Sequence, residues 1–221
     1  KKLKAKEIPH IQEFIENHYW IFGERYHLVT AEEPKFEEAL RRYTYLLTGE
    51  IKDVSIDHPH KQKEMDIFMV RRLNHSGMHV INNVVVELKH PNVKLGDKEL
   101  TQVKKYLSVV LSKDEFNGNN AFWEFYLVGN SFDSTKYIER EIQNMRHLGE
   151  KSLVYSVDNY KIYVKTWSEI FNDFDLRHSF LLENLKLERE KLVGLSSADQ
   201  ILKQSRENTA KMPREVSIPS S

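Results

Sequence analysis

The period of the apolar positions changes several times along the chain, and each change marks an element. In IPHIQEFIENHYWIF, Ile8, Ile11 and Ile15 fall at helical spacing and Pro9 suits a first turn, so a helix is predicted over 8–22. RYHLVTA, 25–31, predicts a short strand. EPKFEEALRRYTYLLTG, 33–49, predicts a helix opened by acidic residues and stopped by Gly49. Residues 50–63 are polar and predict a loop. MDIFMVRRL, 65–73, and MHVINNVVVELK, 78–89, predict two strands joined by the NHSG turn into a hairpin. The valines at 84–86 predict a strand covered on both faces, because alternate side chains point to opposite sides. Pro91 cannot continue a ladder, so NVKLGDK, 92–98, is expected to be a loop.

The second half repeats the mixture. DKELTQVKKYLSVVLS carries Leu100, Val103, Leu107 and Val110 at three- and four-residue spacing, a helix with one buried stripe. FWEFYLVGN, 122–130, predicts an apolar strand, and DSTKYIEREIQNMRHLG, 133–149, a helix ended by Gly149. SLVYSV and YKIYVKTW predict a strand pair around 158–160, and a long helix follows over 167–193. No internal repeat is visible. Polarity rises beyond 195, so one domain is expected over 1–195 with a polar, mobile tail over 196–221. The order of elements implies an α/β fold with a mixed central sheet flanked by helices and extra C-terminal helices.

Composition narrows the chemistry. With 40% hydrophobic residues in a chain of 221, a sizeable core is within reach. No apolar run is long enough for a bilayer, so no membrane partner is expected. The first residues, KKLKAKEIPH, have neither an initiator Met nor the apolar stretch of a signal peptide, which leads us to expect a piece of a longer polypeptide with further domains. The absence of cysteine excludes disulfides, thiolate metal sites and thiol nucleophiles, and agrees with a cytoplasmic location. The 33 basic and 33 acidic residues cancel, so the overall field does not by itself point to nucleic acid.

Charged residues at the predicted hairpin are the exception to this bland picture. Glu87 and Lys89 project from one face at the end of the valine strand, and Asp66 opens the strand paired with it. Antiparallel pairing brings the start of one strand beside the end of the next, so all three are expected to converge. The helix that follows adds Gln102, with Tyr106 one turn later on the same face. Lys89 is expected to be exposed at the strand end. A structural salt bridge between Glu87 and Lys89, with Asp66 capping a turn, is the competing reading of the same residues.

Asp66, the ELK tripeptide 87–89 and the Gln102/Tyr106 pair together resemble the core of the PD-(D/E)XK nucleases. More narrowly, IQEFIENHYWIFGERY, EMDIFMV, VVVELKHP and QVKKYL resemble the nuclease domain of the Shedu anti-phage defence proteins, over residues 7–130. Met65 stands where the superfamily motif has proline. The resemblance implies a restriction-endonuclease-like core and a DNA endonuclease acting on invading phage DNA, restrained by another domain or by homo-oligomerisation. It implies Asp66, Glu87, Lys89 and Gln102 as catalytic residues. Asp66, Glu87 and the backbone carbonyl of Leu88 would be hard oxygen ligands for Mg2+ or Mn2+. Members of the superfamily often add a helical acid, for which Glu7, Glu13 and Glu16 all remain candidates.

Other features carry less. His58, His60, His75, His79 and His90 lack the spacing of a metal motif and are expected to be loop histidines. No Gly-rich phosphate loop is present, which argues against ATP hydrolysis. The aromatic pairs Tyr19/Trp20 and Phe122/Trp123 are expected in the core. A catalytically inactive fold that binds nucleic acid or protein remains the alternative function.

Overall fold

The valine-rich hairpin is the centre of the structure. A computed structural model describes residues 12–30, 34–50, 56–75 and 78–194; the basic KKLKAK, Glu7 and the tail from 196 lie outside the described residues. In chain order the elements are α1 (Gln12–Asn17), β1 (His27–Thr30), α2 (Phe36–Thr48), β2 (Ile67–His75), β3 (Met78–Leu88) and β4 (Lys94–Leu95). There follow α3 (Asp97–Leu111), β5 (Ala121–Gly129), β6 (Ser131–Phe132), α4 (Tyr137–Met145), β7 (Leu153–Val157), β8 (Tyr160–Thr166) and α5 (Trp167–Gly194). Six strands form one mixed sheet in the order β1-β2-β3-β5-β8-β7. The β2–β3 hairpin is antiparallel and runs from Ile67 opposite Val86 to His75 opposite Met78. β5 lies parallel to β3, and β8 parallel to β5.

Helices cover both faces, as the valines require. Val85 joins Phe68, Trp123 and Phe125 on one face, packed beneath Phe36, Leu40 and Tyr43 of α2 and Leu100, Val103 and Tyr106 of α3. Val84 and Val86 join Ile67 and Met69 on the other, packed with Ile15 of α1 and Ile170 in the first turn of α5. All three valines are buried, each contributing roughly 1.5–3 kcal/mol of apolar burial. Of the aromatic pairs, Trp123 is fully buried, but Trp20 and Phe122 are exposed, so those two are not core residues.

Several boundaries move for local reasons. The first helix stops at Asn17 because the side chains of Asn17 and His18 donate to the carbonyls of Glu13 and Phe14, and a separate 3-10 turn, Tyr19–Phe22, follows. α4 starts at Tyr137 rather than 133 because Asp133 accepts hydrogen bonds from both the amide and the hydroxyl of Thr135, which makes a turn instead. The expected loop at 92–98 contains β4, which pairs in parallel with β6. Leu95 is fully buried there, against Gly129, where an added Cβ would stand 2.7 Å from Leu95. Gly49 ends α2 in the left-handed conformation, φ 72°.

The chain divides into two compact units, Lys1–Asn172 and Asp173–Ser221, with the division inside α5. The described part of the second unit is helical and exposes Leu176, Leu181, Leu182, Leu185 and Leu187. Among the described residues no helix is long and apolar enough to cross a membrane.

Candidate active site at the end of the hairpin

The hairpin register leaves Leu88 beyond the last β2 partner, since Ile67 already pairs with Val86. Lys89 turns its N–H toward β5, donating to the Val128 carbonyl at 2.8 Å. By strand alternation Leu88 then directs its N–H and C=O toward the β2 side. Asp66, just before β2, meets them there: its Oδ2 accepts the Leu88 N–H at 2.5 Å. The carboxylate replaces the ladder bond that a longer β2 would have made.

Glu87 projects from the same strand onto the face covered by α3 and is only 5% exposed. A buried carboxylate needs hydrogen-bond donors, and three surround it. Lys89 Nζ and Gln102 Nε2 both donate to Oε1 at 2.6 Å, and the Tyr106 hydroxyl lies 2.6 Å from Oε2. Lys89 Nζ also donates to Gln102 Oε1 at 2.9 Å. The amide of Gln102 therefore has a fixed orientation: its oxygen takes the ammonium and its nitrogen serves Glu87 and, at 3.2 Å, the Tyr106 oxygen. α3 delivers Gln102 and Tyr106 one turn apart on one face. The helix starts cleanly because Glu99 accepts the Gly96 N–H at 3.1 Å.

Tyr106 ties a further segment to this cluster. Its hydroxyl lies 2.5 Å from the Glu64 carbonyl, so its single proton serves two acceptors. Burial first, then the negative charge of Glu87 and of Asp66, pushes its pKa well above the ordinary phenol value. Tyr106 is thus a neutral donor. The Glu64 carbonyl is a member of the cluster that no sequence signal reveals, because main-chain groups carry no residue code.

Asp66, Glu87, Leu88, Lys89, Gln102 and Tyr106 therefore share one end of the sheet. The expectation of an exposed Lys89 is corrected: its side chain is 14% exposed and its ion pair with Glu87, 6% exposed, is largely buried. The salt bridge of the competing reading exists, inside a larger hydrogen-bonded cluster. Of the helical acids, Glu13 and Glu16 belong to α1, whose Ile15 packs on the opposite face of the sheet from Glu87. Among the described residues no three His, Asp or Glu side chains gather as a metal-binding group.

Two of the histidines are neighbours. His58 and His60 sit with ring centroids 5.4 Å apart in a loop pinned by Glu37, which accepts the Ile56 N–H at 3.0 Å and the Gln62 amide at 3.1 Å. His60 is held below its ordinary pKa by partial desolvation and then by Lys105, His58 and Lys63. His90 accepts the Asn92 N–H at 3.1 Å, closing a turn, and the side chain of His75 lies outside the described residues. The chain matches no protein-family model, no curated protein and no solved structure.

Proposed function

We propose that the chain is a metal-dependent DNA endonuclease on a restriction-endonuclease-like core. One observation carries the reading: Glu87, Lys89 and Gln102 bond to one another at the end of β3, and Asp66, the acid before β2, accepts the N–H of Leu88 between Glu87 and Lys89. The donor set suits a hard cation. Asp66, Glu87 and the Leu88 carbonyl are all oxygens, and the backbone alternation turns that carbonyl toward the side where Asp66 stands. Mg2+ or Mn2+ held by them would polarise a phosphate and lower the pKa of a bound water.

The protein groups do the positioning. Lys89 offers an ammonium to orient the attacking water and offset charge growing on the phosphate. Gln102 Oε1 accepts from Lys89 independently of Glu87, so the ammonium stays placed when Glu87 Oε1 takes a different partner. Tyr106 holds Glu87 Oε2 from the buried side. By the Shedu resemblance the substrate is invading phage DNA, met in the cytoplasm by a homo-oligomer carrying further domains.

The bonding of Glu87 favours a second reading. Both its oxygens already have protein donors, as in a structural ion pair of a nuclease-like binding module. Incubation with linear and circular DNA in Mg2+, Mn2+ or chelator, wild type beside Glu87→Gln, separates them. Metal-dependent cutting that the substitution abolishes is expected. DNA binding with no cutting by either protein supports the module, and equal cutting by both places the chemistry elsewhere.

A further inference from the structure

The face and end of the sheet farthest from Glu87 hold a second concavity. A pocket of about 510 Å³ opens where Val80 and Asn82 of β3, Phe122 and Glu124 of β5 and Lys161 of β8 lie side by side, with Asp158 of the β7–β8 turn beside them. That volume falls within the roughly 300–1,000 Å³ of small-ligand sites. Register fixes the grid: Asn82 is opposite Phe122, and Glu124 is opposite both Val84 and Lys161. Neighbouring strands stand about 5 Å apart, so the Asn82 amide, the Phe122 ring and the Glu124 carboxylate all lie within reach of one small group.

Their chemistry is unspent. Phe122 is 38% exposed, unusual for an aromatic residue on an otherwise buried strand. Glu124 Oε2 accepts the Tyr126 hydroxyl at 2.9 Å, which orients the carboxylate, while its other oxygen and the whole Asn82 amide have no hydrogen-bond partner among the described residues. The cation in the lining is already committed: Lys161 Nζ donates to Glu150 at 2.5 Å. With Lys161 offset by Glu150, the charge left in the lining is negative, from Glu124 and Asp158, while Arg71, opposite Asn82 on β2, is turned over the Tyr26 ring at 4.8 Å. Phosphate-bearing ligands, including the nucleic-acid backbone, are disfavoured there.

An acceptor-rich, negative pocket with an apolar wall and a half-exposed ring suits a positive, donor-rich group on an apolar stem. We propose that this pocket binds a guanidinium or primary ammonium group, stacked on Phe122, donating to Glu124 Oε1 and Asn82 Oδ1, with its stem along Val80. A guanidinium fits best, because its planar fork reaches two acceptors while its face covers the ring. The site is independent of the nuclease reading, being on the opposite face of the sheet and toward the opposite ends of the strands.

Isothermal titration of the full chain tests this with Nα-acetyl-arginine amide, its neutral isostere Nα-acetyl-citrulline amide, spermidine and the tripeptide Gly-Arg-Gly. Saturable binding of the arginine amide is expected, with the citrulline compound weaker by about tenfold or more, the loss that accompanies removal of a charge-assisted hydrogen bond. Glu124→Gln and, separately, the exposed-site change Phe122→Ala are each expected to weaken the arginine probe several-fold, with circular dichroism confirming that both fold. Spermidine binding as tightly as the arginine amide identifies a free polyamine-type ligand, whereas tighter binding of Gly-Arg-Gly identifies a peptide side chain. No saturable binding of any cationic probe, equal binding of the citrulline compound, or unchanged affinity in both variants overturns the proposal.

Discussion

Replacing Lys89 with alanine probes the candidate site without any assumption about catalysis. The substitution removes two hydrogen bonds, at 2.6 Å to Glu87 and 2.9 Å to Gln102. A hydrogen bond to a charged group contributes about 1.5–3 kcal/mol. Stripping a buried charge of its ionic partner costs roughly 3–5 kcal/mol, but here Gln102 and Tyr106 still donate to Glu87. The expected loss is therefore about 2–3 kcal/mol. With a urea dependence of about 2 kcal/mol per molar, the unfolding midpoint should fall by about 1 M. The cause is identified by a double-mutant cycle. In a Glu87→Gln background the carboxylate charge is gone, and Lys89→Ala should then cost less than about 1 kcal/mol, a coupling of at least about 1 kcal/mol between the two positions. Chemical denaturation followed by circular dichroism measures all four proteins. A Lys89→Ala midpoint indistinguishable from wild type, or additive losses in the double variant, would refute the reasoning that these two charges form one buried unit.

Two further outcomes follow from the packing. Among the described residues both side-chain polar atoms of Asn83 are buried without a hydrogen bond of ordinary geometry, although the Tyr43 hydroxyl neighbours the amide, so Asn83→Val should raise stability by about 1–2 kcal/mol in thermal melts, and a lower melting temperature would show that the amide bonds to Tyr43 in solution. Glu37 is held below its ordinary pKa of 4.5, first by the Ile56 N–H, so its stabilisation is complete above that value and lost as pH falls through the lower folded one. The deficit of Glu37→Ala should accordingly be full at about pH 6 and shrink toward about pH 3; a deficit independent of pH would contradict this.

How far the sequence reaches depends on whether a feature is periodic. The hairpin, the helix of Gln102 and the convergence of Asp66, Glu87 and Lys89 follow from alternation and pairing direction, and the structure brings these residues together. The burial of Lys89 does not follow, because strand position says nothing about the helix laid over the strand end. Only the packing of α3, which puts Gln102 and Tyr106 against Glu87, encloses the ammonium. Boundaries shift where side chains compete with the main chain, as Asp133 does before α4. The β4–β6 ladder is two residues long, too short to set up any pattern of its own. The pocket beside Phe122 combines residues from four strands and a turn, and no local spacing joins them.

The claim that Asp66 and Glu87 together hold one divalent cation is open to direct measurement by titrating the folded chain with Mn2+ and counting bound ions by electron paramagnetic resonance. Asp66→Asn keeps an oxygen for the Leu88 N–H, and Glu87→Gln keeps most of the donors around it, so both variants should fold. One bound Mn2+ per chain is expected for the wild type, with the affinity of each variant lower by at least about tenfold, since each removes one of two anionic ligands. Mn2+ binding that is unchanged in both variants would place the ion elsewhere and contradict the account.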